Sequence, residues 1–292
     1  MFKLRWPQSF GLIALAALLL AAPSPAAASV SPDGARTQPS AGSLERQVRD
    51  WTEALSAEKP FQAWHNAVPH IHALGPGLHG WLVTLHANGA TVGYMVVYAV
   101  AGGGYRLGEY GTGPNTLFST ATLKRSLKEN GLLPPDGKFR AVKHYLHPFA
   151  AAWEVQAGDG TYWLDAKSGE QLPLDKEAWA RLERQQSGRP DGSPAVKPTG
   201  VLLNESFDPY ERLPWLMDEK PLPVSADRLT ERLRKGLHLR YVSEPFGDAM
   251  LYALPVVGYQ AWTGGQLHLA VDMNGTRFIP LDSLQEHGRF YQ

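Results

Sequence analysis

The spacing of apolar residues near the start of the chain predicts an amphipathic helix. These residues recur at intervals of four, three and four, which places them on one helical face: Leu44, Val48, Trp51 and Leu55. Ser43 can cap the first turn because its hydroxyl accepts a bond from a free backbone N–H, and Pro60 cannot continue the helix. We therefore predict a helix from Ser43 to about Lys59.

Three segments after this helix predict an antiparallel meander. They are dense in Val, Tyr and alternating apolar residues, as strands are, and they span residues 79–87, 91–101 and 105–110. Asn88-Gly89 joins the first two segments, and this pair favours a tight hairpin turn. The meander should bury one face against the preceding helix.

Two further groups of segments repeat this order of helix and strands. In the first group, helices are predicted at 122–130 and 175–185, with strands near 150–156 and 161–165. In the second group, a helix capped by Ser225 precedes strands near 251–262, 266–272 and 277–280. The pattern predicts an α+β fold of small units, each a helix followed by an antiparallel meander.

A stretch poor in apolar residues separates the last two groups. Residues 186–200 read QSGRPDGSPAVKPTG and contain almost no large apolar side chain. Such a composition is typical of a linker or mobile loop. We therefore predict an N-terminal α+β region at 43–185 and a C-terminal α+β unit at 201–292.

An internal repeat is predicted from two segments that align without gaps. Residues 145–175 and 252–282 agree at seven of 31 positions. The matches include Gly158 with Gly265 and Asp165 with Asp272, and both copies end in Pro-Leu-Asp. These residues fall at turns, where the backbone restricts the choice of residue, so we predict an internal duplication.

The start of the chain has the three parts of a secretory signal peptide. Lys3 and Arg5 are followed by an apolar run of 13 residues, from Phe10 to Ala22, and by Ala26-Ala27-Ala28. The run is shorter than the roughly 20 residues that span a bilayer. We predict a signal peptide at 1–28, cleavage after Ala28, and a flexible leader at 29–42.

The composition narrows the compartment, the chemistry and the partners. The chain has no cysteine, which excludes disulfides, thiol catalysis and Cys-ligated metals. Without Lys3 and Arg5, 26 basic residues stand against 28 acidic ones, a net charge of −2. This balance gives no reason to expect nucleic acid as a partner. The mature chain is predicted to be extracytoplasmic, with no transmembrane span.

One segment resembles a known family. Trp153-Glu154-Val155 and the run Thr161-Tyr162-Trp163-Leu164-Asp165-Ala166-Lys167-Ser168-Gly169-Glu170 are similar to the final hairpin of a PepSY domain. In that family a helix precedes a small antiparallel sheet. The resemblance covers about 20 residues, and the second copy keeps Asp272 without the spacing that follows it. It implies an exported, noncatalytic protein that binds or restrains a peptidase or senses at the cell surface.

The Asp and Gly residues of both copies are predicted to shape turns. Asp165 can accept backbone N–H bonds inside its turn, and Gly169 can adopt a positive φ. In the second copy the turn residues are Asp272 and Gly275, which are one position closer together. Their predicted role is structural, and no catalytic residue is proposed among them.

A cluster of histidines gives a candidate metal site. Half of the ten histidines lie between residues 65 and 86: His65, His70, His72, His79 and His86. His70 and His72 would share one face of an extended segment, as two ligands of a zinc or copper site do. Glu58 or Glu109 would have to supply a third ligand. Scattered surface histidines explain the pattern better, so we predict no metal and no cofactor.

Two enzyme or ligand-binding alternatives remain open. The chain lacks the G-x-S-x-G and H-E-x-x-H motifs of common hydrolases, and carboxylate pairs such as Glu109 with Asp165 or Asp208 with Glu211 are not distinctive. Six aromatic residues of the first unit would suit a carbohydrate-binding surface, although core packing and sheet propensity explain strand aromatics better: Trp64, Trp81, Tyr94, Tyr98, Tyr105 and Tyr110.

The combined pattern predicts a binding or regulatory role. We expect an exported, noncatalytic protein that binds or regulates a protein, peptide or cell-wall component at the cell surface, with a peptidase among the candidate partners. The first alternative is a secreted hydrolase with a non-standard carboxylate or His-metal site between His65 and His86. The second is an aromatic carbohydrate-binding module.

Overall fold

A computed structural model describes residues 41–75, 79–100, 103–185 and 197–292. The predicted signal peptide at 1–28 and nearly all of the leader at 29–42 lie outside the described residues, as do residues 186–196 of the predicted linker. No helix in the described part of the chain is long and apolar enough to cross a membrane.

The fold is α+β, as predicted, with antiparallel strands throughout the paired sheets. The helices are α1 (Ala41–Ser56), α2 (Thr120–Glu129), α3 (Lys176–Gln185), α4 (Ala226–Arg234) and α5 (Leu281–His287). The strands are β1 (Val68–Ala73), β2 (Gly80–Ala87), β3 (Ala90–Ala99), β4 (Tyr105–Thr112), β5 (Phe139–His147), β6 (Ala150–Ala157), β7 (Gly160–Asp165), β8 (Pro198–Leu203), β9 (Leu239–Ser243), β10 (Pro245–Asp248), β11 (Tyr252–Trp262), β12 (Leu267–Asp272), β13 (Thr276–Pro280) and β14 (Arg289–Tyr291). Short 3-10 helices lie at Lys59–Trp64, Pro209–Glu211, Pro214–Leu216 and Thr263–Gly265.

The larger sheet joins the two ends of the chain. Its strand order is β1-β2-β3-β4-β13-β12-β11-β9-β14, and β8 pairs with β11 beside it. The central pairing sets Phe278 of β13 opposite Tyr110 of β4. Strands from both sides of the boundary predicted at 186–200 therefore belong to one sheet. The described residues form one compact unit.

The first face of this sheet packs on α1 and the 3-10 helix Lys59–Trp64. Leu44, Val48, Trp51 and Leu55 of α1 are buried against apolar side chains of β2, β3 and β4, including Val83, Met95 and Leu107. Phe61 and Trp64 close this cluster. Burial of the predicted helical stripe fixes the position of α1, because apolar area removed from water is the main driving force of packing.

A smaller sheet covers part of the opposite face. Its order is β5-β6-β7, and α2 lies with it. Leu123 and Leu127 of α2 and Trp153 of β6 share a cluster with Leu82 and Val96 of the larger sheet. On the other side of the small sheet, Trp179 of α3 stacks on Trp163 with ring centroids 5.3 Å apart. The small sheet is thus buried on both faces.

Several element boundaries differ from the predicted ones. Helix α1 begins at Ala41, so Ser43 lies within the helix rather than capping it, and Pro60 belongs to a 3-10 helix. Residues 198–200 of the predicted linker are part of β8, which pairs with β11. The pattern also left β1, β5, β8, β9, β10 and β14 unpredicted.

The predicted repeat coincides with similar elements. Asp165 is the last residue of β7 and Asp272 is the last residue of β12, and each strand follows a longer antiparallel partner. A helix follows each copy, α3 in the first and α5 in the second. The duplication itself stays a prediction.

Gly258 offers a direct test of how tightly β8 and β11 approach. An added Cβ at this position would lie 2.0 Å from the carbonyl oxygen of Leu202, a backbone atom that cannot rotate away. We expect Gly258→Ala to lower the free energy of unfolding, measured by urea denaturation, by about 1–3 kcal/mol. The control is Gly42→Ala in α1, where no atom lies within 4 Å. Equal stability of both variants would contradict this packing.

Candidate functional site

The candidate histidines lie on and around the edge strand β1. His70 and His72 are exposed on β1, and the His70 ring lies 4.6 Å from the ring of His86 on β2. His65 follows the 3-10 helix, and His79 precedes β2. Burial, the nearby Lys143, and the neighbouring His70 and His86 lower the pKa of His72.

This arrangement brings three imidazoles near one another without forming a metal site. Both ring nitrogens of His86 contact threonine hydroxyls, Thr84 at 3.1 Å and Thr91 at 3.4 Å. Glu109, one of the two carboxylates considered as a third ligand, is fully buried elsewhere. Across residues 41–75, 79–100, 103–185 and 197–292, no group of three or more His, Asp or Glu is placed to hold a metal ion.

The four turn residues occupy two turns, each of which follows a strand that ends in Asp. The Asp165 carboxylate accepts the backbone N–H of Lys167 at 2.8 Å and of Ser168 at 2.6 Å. Gly169 has a φ of +78°. In the second turn, Asp272 accepts the N–H of Gly275 at 3.2 Å, and Gly275 has a φ of +106°. Both carboxylates thus satisfy backbone donors inside their turns.

A buried polar network connects the first turn to the larger sheet. Arg277 on β13 donates to the Glu109 carboxylate on β4 at 2.6 Å, and both side chains are 0% exposed. The Tyr94 hydroxyl donates to the other Glu109 oxygen at 3.2 Å. The second Asp165 oxygen accepts the Tyr252 hydroxyl at 3.0 Å. Burial raises the pKa of Glu109, and the adjacent Arg277 guanidinium counters that shift.

Lys167 brings a further charge into this network. Its ammonium group donates to the carbonyl of Asn115 and lies 5.5 Å from the Tyr94 ring centroid. Burial and the nearby Arg277 lower the pKa of Lys167 to about 8. The carboxylates of Glu109 and Asp165, one of the pairs considered for catalysis, thus bind other groups of the protein within this buried network.

Arg277 also holds the turn between β5 and β6, which lies beside a surface cleft. Arg277 donates to the carbonyl oxygen of Pro148 at 2.7 Å, and its guanidinium lies 5.6 Å from the Phe149 ring centroid. Pro148 and Phe149 form the turn between β5 and β6, directly after His147. The buried network therefore fixes the turn that carries His147.

The cleft has a volume of about 640 Å³ and opens where the small sheet, α3, β9, α5 and β14 meet. Its size falls within the about 300–1,000 Å³ of typical ligand sites. Its apolar lining includes Leu146, Leu182, Trp215, Leu216 and Leu251. Its polar lining includes His147, Glu244, Glu286, His287 and Arg289. The cleft thus combines an apolar wall with several polar and charged groups.

Two histidines from distant parts of the chain stack in this cleft. The rings of His147 and His287 have centroids 3.6 Å apart and planes 10° from parallel. The backbone N–H of Phe149 donates to Nδ1 of His147 at 3.3 Å, so the neutral ring carries its proton on Nε2. The backbone carbonyl of His287 accepts the Ser243 hydroxyl at 2.6 Å. These bonds hold the ring of His147 and the backbone of His287 in place.

The stacked pair favours neutral imidazoles and disfavours metal binding. Burial, His287 and Arg277 hold the pKa of His147 well below its ordinary value. Burial also lowers the pKa of His287, and Glu286 opposes this effect. Imidazole lone pairs lie in the ring plane, so two nearly parallel rings cannot direct them at a common ion.

The rim of the cleft exposes apolar side chains to solvent. Leu216 is 70% exposed and Met217 is 65% exposed. They follow Trp215, whose ring lies 6.3 Å from the ring of Tyr291 in an edge contact. Arg212 anchors this segment by pairing with Glu219 at 2.6 Å. The exposed apolar surface is therefore contiguous with the apolar wall of the cleft.

The six aromatic residues of the first meander lie elsewhere. Trp64, Tyr94, Tyr105 and Tyr110 are buried, and Trp81 and Tyr98 are partly buried against core clusters. Core packing thus accounts for these side chains.

Sequence reasoning missed every residue of the cleft. His147 and His287 are 140 positions apart, and no local motif links one to the other. One sequence feature could have indicated the rim of the cleft. The apolar run Trp215-Leu216-Met217 follows Pro214 and is too short for a core element. An apolar run without a periodic partner is a candidate surface patch.

Comparisons with protein-family models, with curated proteins and with solved structures find no match for this chain. The resemblance of residues 153–170 to a PepSY hairpin therefore stays a prediction.

Proposed function

We propose that the protein is an exported, noncatalytic binding protein that holds a segment of another polypeptide in the cleft. The observation that carries this proposal is the continuity of the cleft with the exposed side chains of Leu216 and Met217. Contiguous exposed apolar surface at the rim of a concave site is typical of a protein or peptide interface.

The charges of the cleft indicate the kind of segment that fits. Glu244 and Glu286 stand against Arg289, so the lining carries a net charge of −1 when both histidines are neutral. A large apolar side chain suits the wall formed by Leu146, Leu182 and Trp215. The proposed ligand is therefore a polypeptide segment with a large apolar side chain next to Lys or Arg.

Binding is favoured over hydrolysis by the state of the candidate acids. Tyr94 and Arg277 occupy the oxygens of Glu109, and backbone N–H groups and Tyr252 occupy those of Asp165. Asp208 accepts the N–H of Tyr210 at 2.9 Å, in a cap. A general acid or base must reach a substrate, and these contacts leave the carboxylates bound to the protein.

The proposal is tested by selecting 12-residue peptides from a random phage library on the wild-type protein. We expect selected peptides to be rich in large apolar and basic residues. The double variant Leu216→Ser/Met217→Ser should bind them at least tenfold more weakly, because the rim loses its apolar side chains. Isothermal titration with the synthetic peptides measures the affinity.

The matched control is Val68→Ser, which removes an apolar side chain that is 58% exposed on β1, away from the cleft. This variant should bind the peptides as the wild type does. Equal affinity for wild type and the Leu216/Met217 variant would contradict the proposal. Binding of soluble glycans in place of peptides would instead favour the carbohydrate-binding alternative.

A further inference from the structure

The stacked histidines stand at the junction of two elements that form the cleft. His147 ends β5, and His287 ends α5. Their rings overlap at 3.6 Å. Two neutral imidazoles stack at this distance without penalty, whereas two imidazolium ions repel each other strongly. The geometry is therefore compatible with neutral rings and is strained by two protons.

The elements around this pair place both charged and uncharged side chains near it. Glu286 of α5 lies 3.8 Å from Nε2 of His287, and Glu244 and Arg289 line the same cleft. Arg277 acts on His147 from β13, but it is itself paired with Glu109. Helix α3 contributes Leu182 and Gln185, which are uncharged, and the rim contributes Trp215 and Leu216.

We propose that His147 and His287 make the cleft a pH-dependent grip, which holds a basic polypeptide segment at neutral pH and releases it in acid. This inference rests on the proposed function of the cleft. The first proton on the pair cancels the net charge of −1 that the lining carries. A cationic ligand is thus favoured by neutral histidines and opposed by protonated ones.

The direction of the effect follows from the ionisation of the pair. Burial lowers the pKa of both histidines, so both rings are neutral above pH 6.5. As the pH falls below 6.5, protons begin to bind the imidazoles, and each bound proton destabilises the stacked arrangement. Because the rings are in contact, the first proton makes the second harder to add, and the two groups titrate as a coupled pair.

The free protein provides the first test, by NMR titration of the imidazole C–H resonances. Both rings should titrate with midpoints below 6.5. Replacing His287 (His287→Gln) should raise the midpoint of His147, because a stacked neighbour is removed. Midpoints at or above 6.5, or a His147 midpoint that ignores His287→Gln, would overturn the inference.

The second test uses the cationic dye thioflavin T, with the anionic dye anilinonaphthalene sulfonate as its opposite. Between pH 7.5 and 5.0, the affinity for the cationic dye should fall at least tenfold while the affinity for the anionic dye rises. The double variant His147→Gln/His287→Gln should reduce either change to less than twofold, and the control His65→Gln should leave it intact.

The outcomes separate this inference from the proposed function. A cationic dye that binds equally at both pH values, and is displaced by the selected peptides, would leave the cleft as a binding site and overturn the pH dependence. A cationic dye that binds at neither pH, while the selected peptides bind equally at pH 7.5 and 5.0, would also overturn the pH dependence and leave the proposed function intact. Failure to select any peptide would overturn the proposed function.

Discussion

Arg277→Met is expected to lower the free energy of unfolding by about 3–5 kcal/mol, because it leaves the Glu109 carboxylate buried without its cation. The same substitution also removes the donor to the Pro148 carbonyl. Two interactions that join β13 to β4 and to the β5–β6 turn are lost together. Urea denaturation followed by tryptophan fluorescence measures the change.

Two companion variants identify the cause of this loss. Adding Glu109→Gln to Arg277→Met should recover part of the stability, because the uncompensated charge is then gone. Arg212→Met breaks an ion pair of the same 2.6 Å length that is largely exposed, and it should change stability by only about 0–1 kcal/mol. A loss of only about 0–1 kcal/mol for Arg277→Met as well would contradict the claim that the buried ion pair stabilises the fold.

Phe61→Ala is expected to destabilise the fold by a comparable amount, about 3–5 kcal/mol. Phe61 is fully buried, and its ring packs on Trp64, on Tyr110 of β4 and on Phe278 of β13, with centroids 4.9, 5.7 and 5.0 Å away. The substitution opens a cavity over the pairing that joins the two ends of the chain. Thermal and urea denaturation both report it.

A conservative variant distinguishes packing from local helix effects. Phe61→Leu keeps most of the buried volume and should cost only about 1 kcal/mol. If Phe61→Leu and Phe61→Ala were equally destabilising, the loss would reflect the 3-10 helix rather than the contact with β4 and β13.

Local sequence explains the parts of the fold that could be predicted. Strands β2 and β3 were accessible because Asn88-Gly89 defines a hairpin between two runs with a clear strand composition. The stripe of α1 was accessible because its spacing is helical. Strand β1 was missed because Pro69, His70 and His72 give it the composition of a loop, and an edge strand needs only one partner.

Long-range pairing explains what could not be predicted. The pairing of Tyr110 with Phe278 spans 168 positions, and no turn residue marks it. The predicted boundary at 186–200 reflected a real change in composition, yet β4 and β13 pair across it. Local sequence patterns identify turns and periodic elements. The order of distant strands in a sheet depends instead on how both faces of the sheet are buried.

The candidate site was inaccessible for the same reason. The histidines that cluster along the sequence, from His65 to His86, lie on or near the exposed edge strand β1. The pair that meets in a cleft, His147 and His287, comes from the ends of β5 and α5. Active and binding sites are assembled in space, so clustering along a chain is a weak guide to them.

The most direct test of the cleft as the functional surface is amide hydrogen exchange with and without a selected peptide. Binding in the cleft should slow exchange at residues 242–244 and 286–291 and at Trp215 and Leu216, and leave β1 and β2 unchanged. Protection confined to residues 68–86, around the exposed histidines, would contradict the assignment of the cleft as the functional surface.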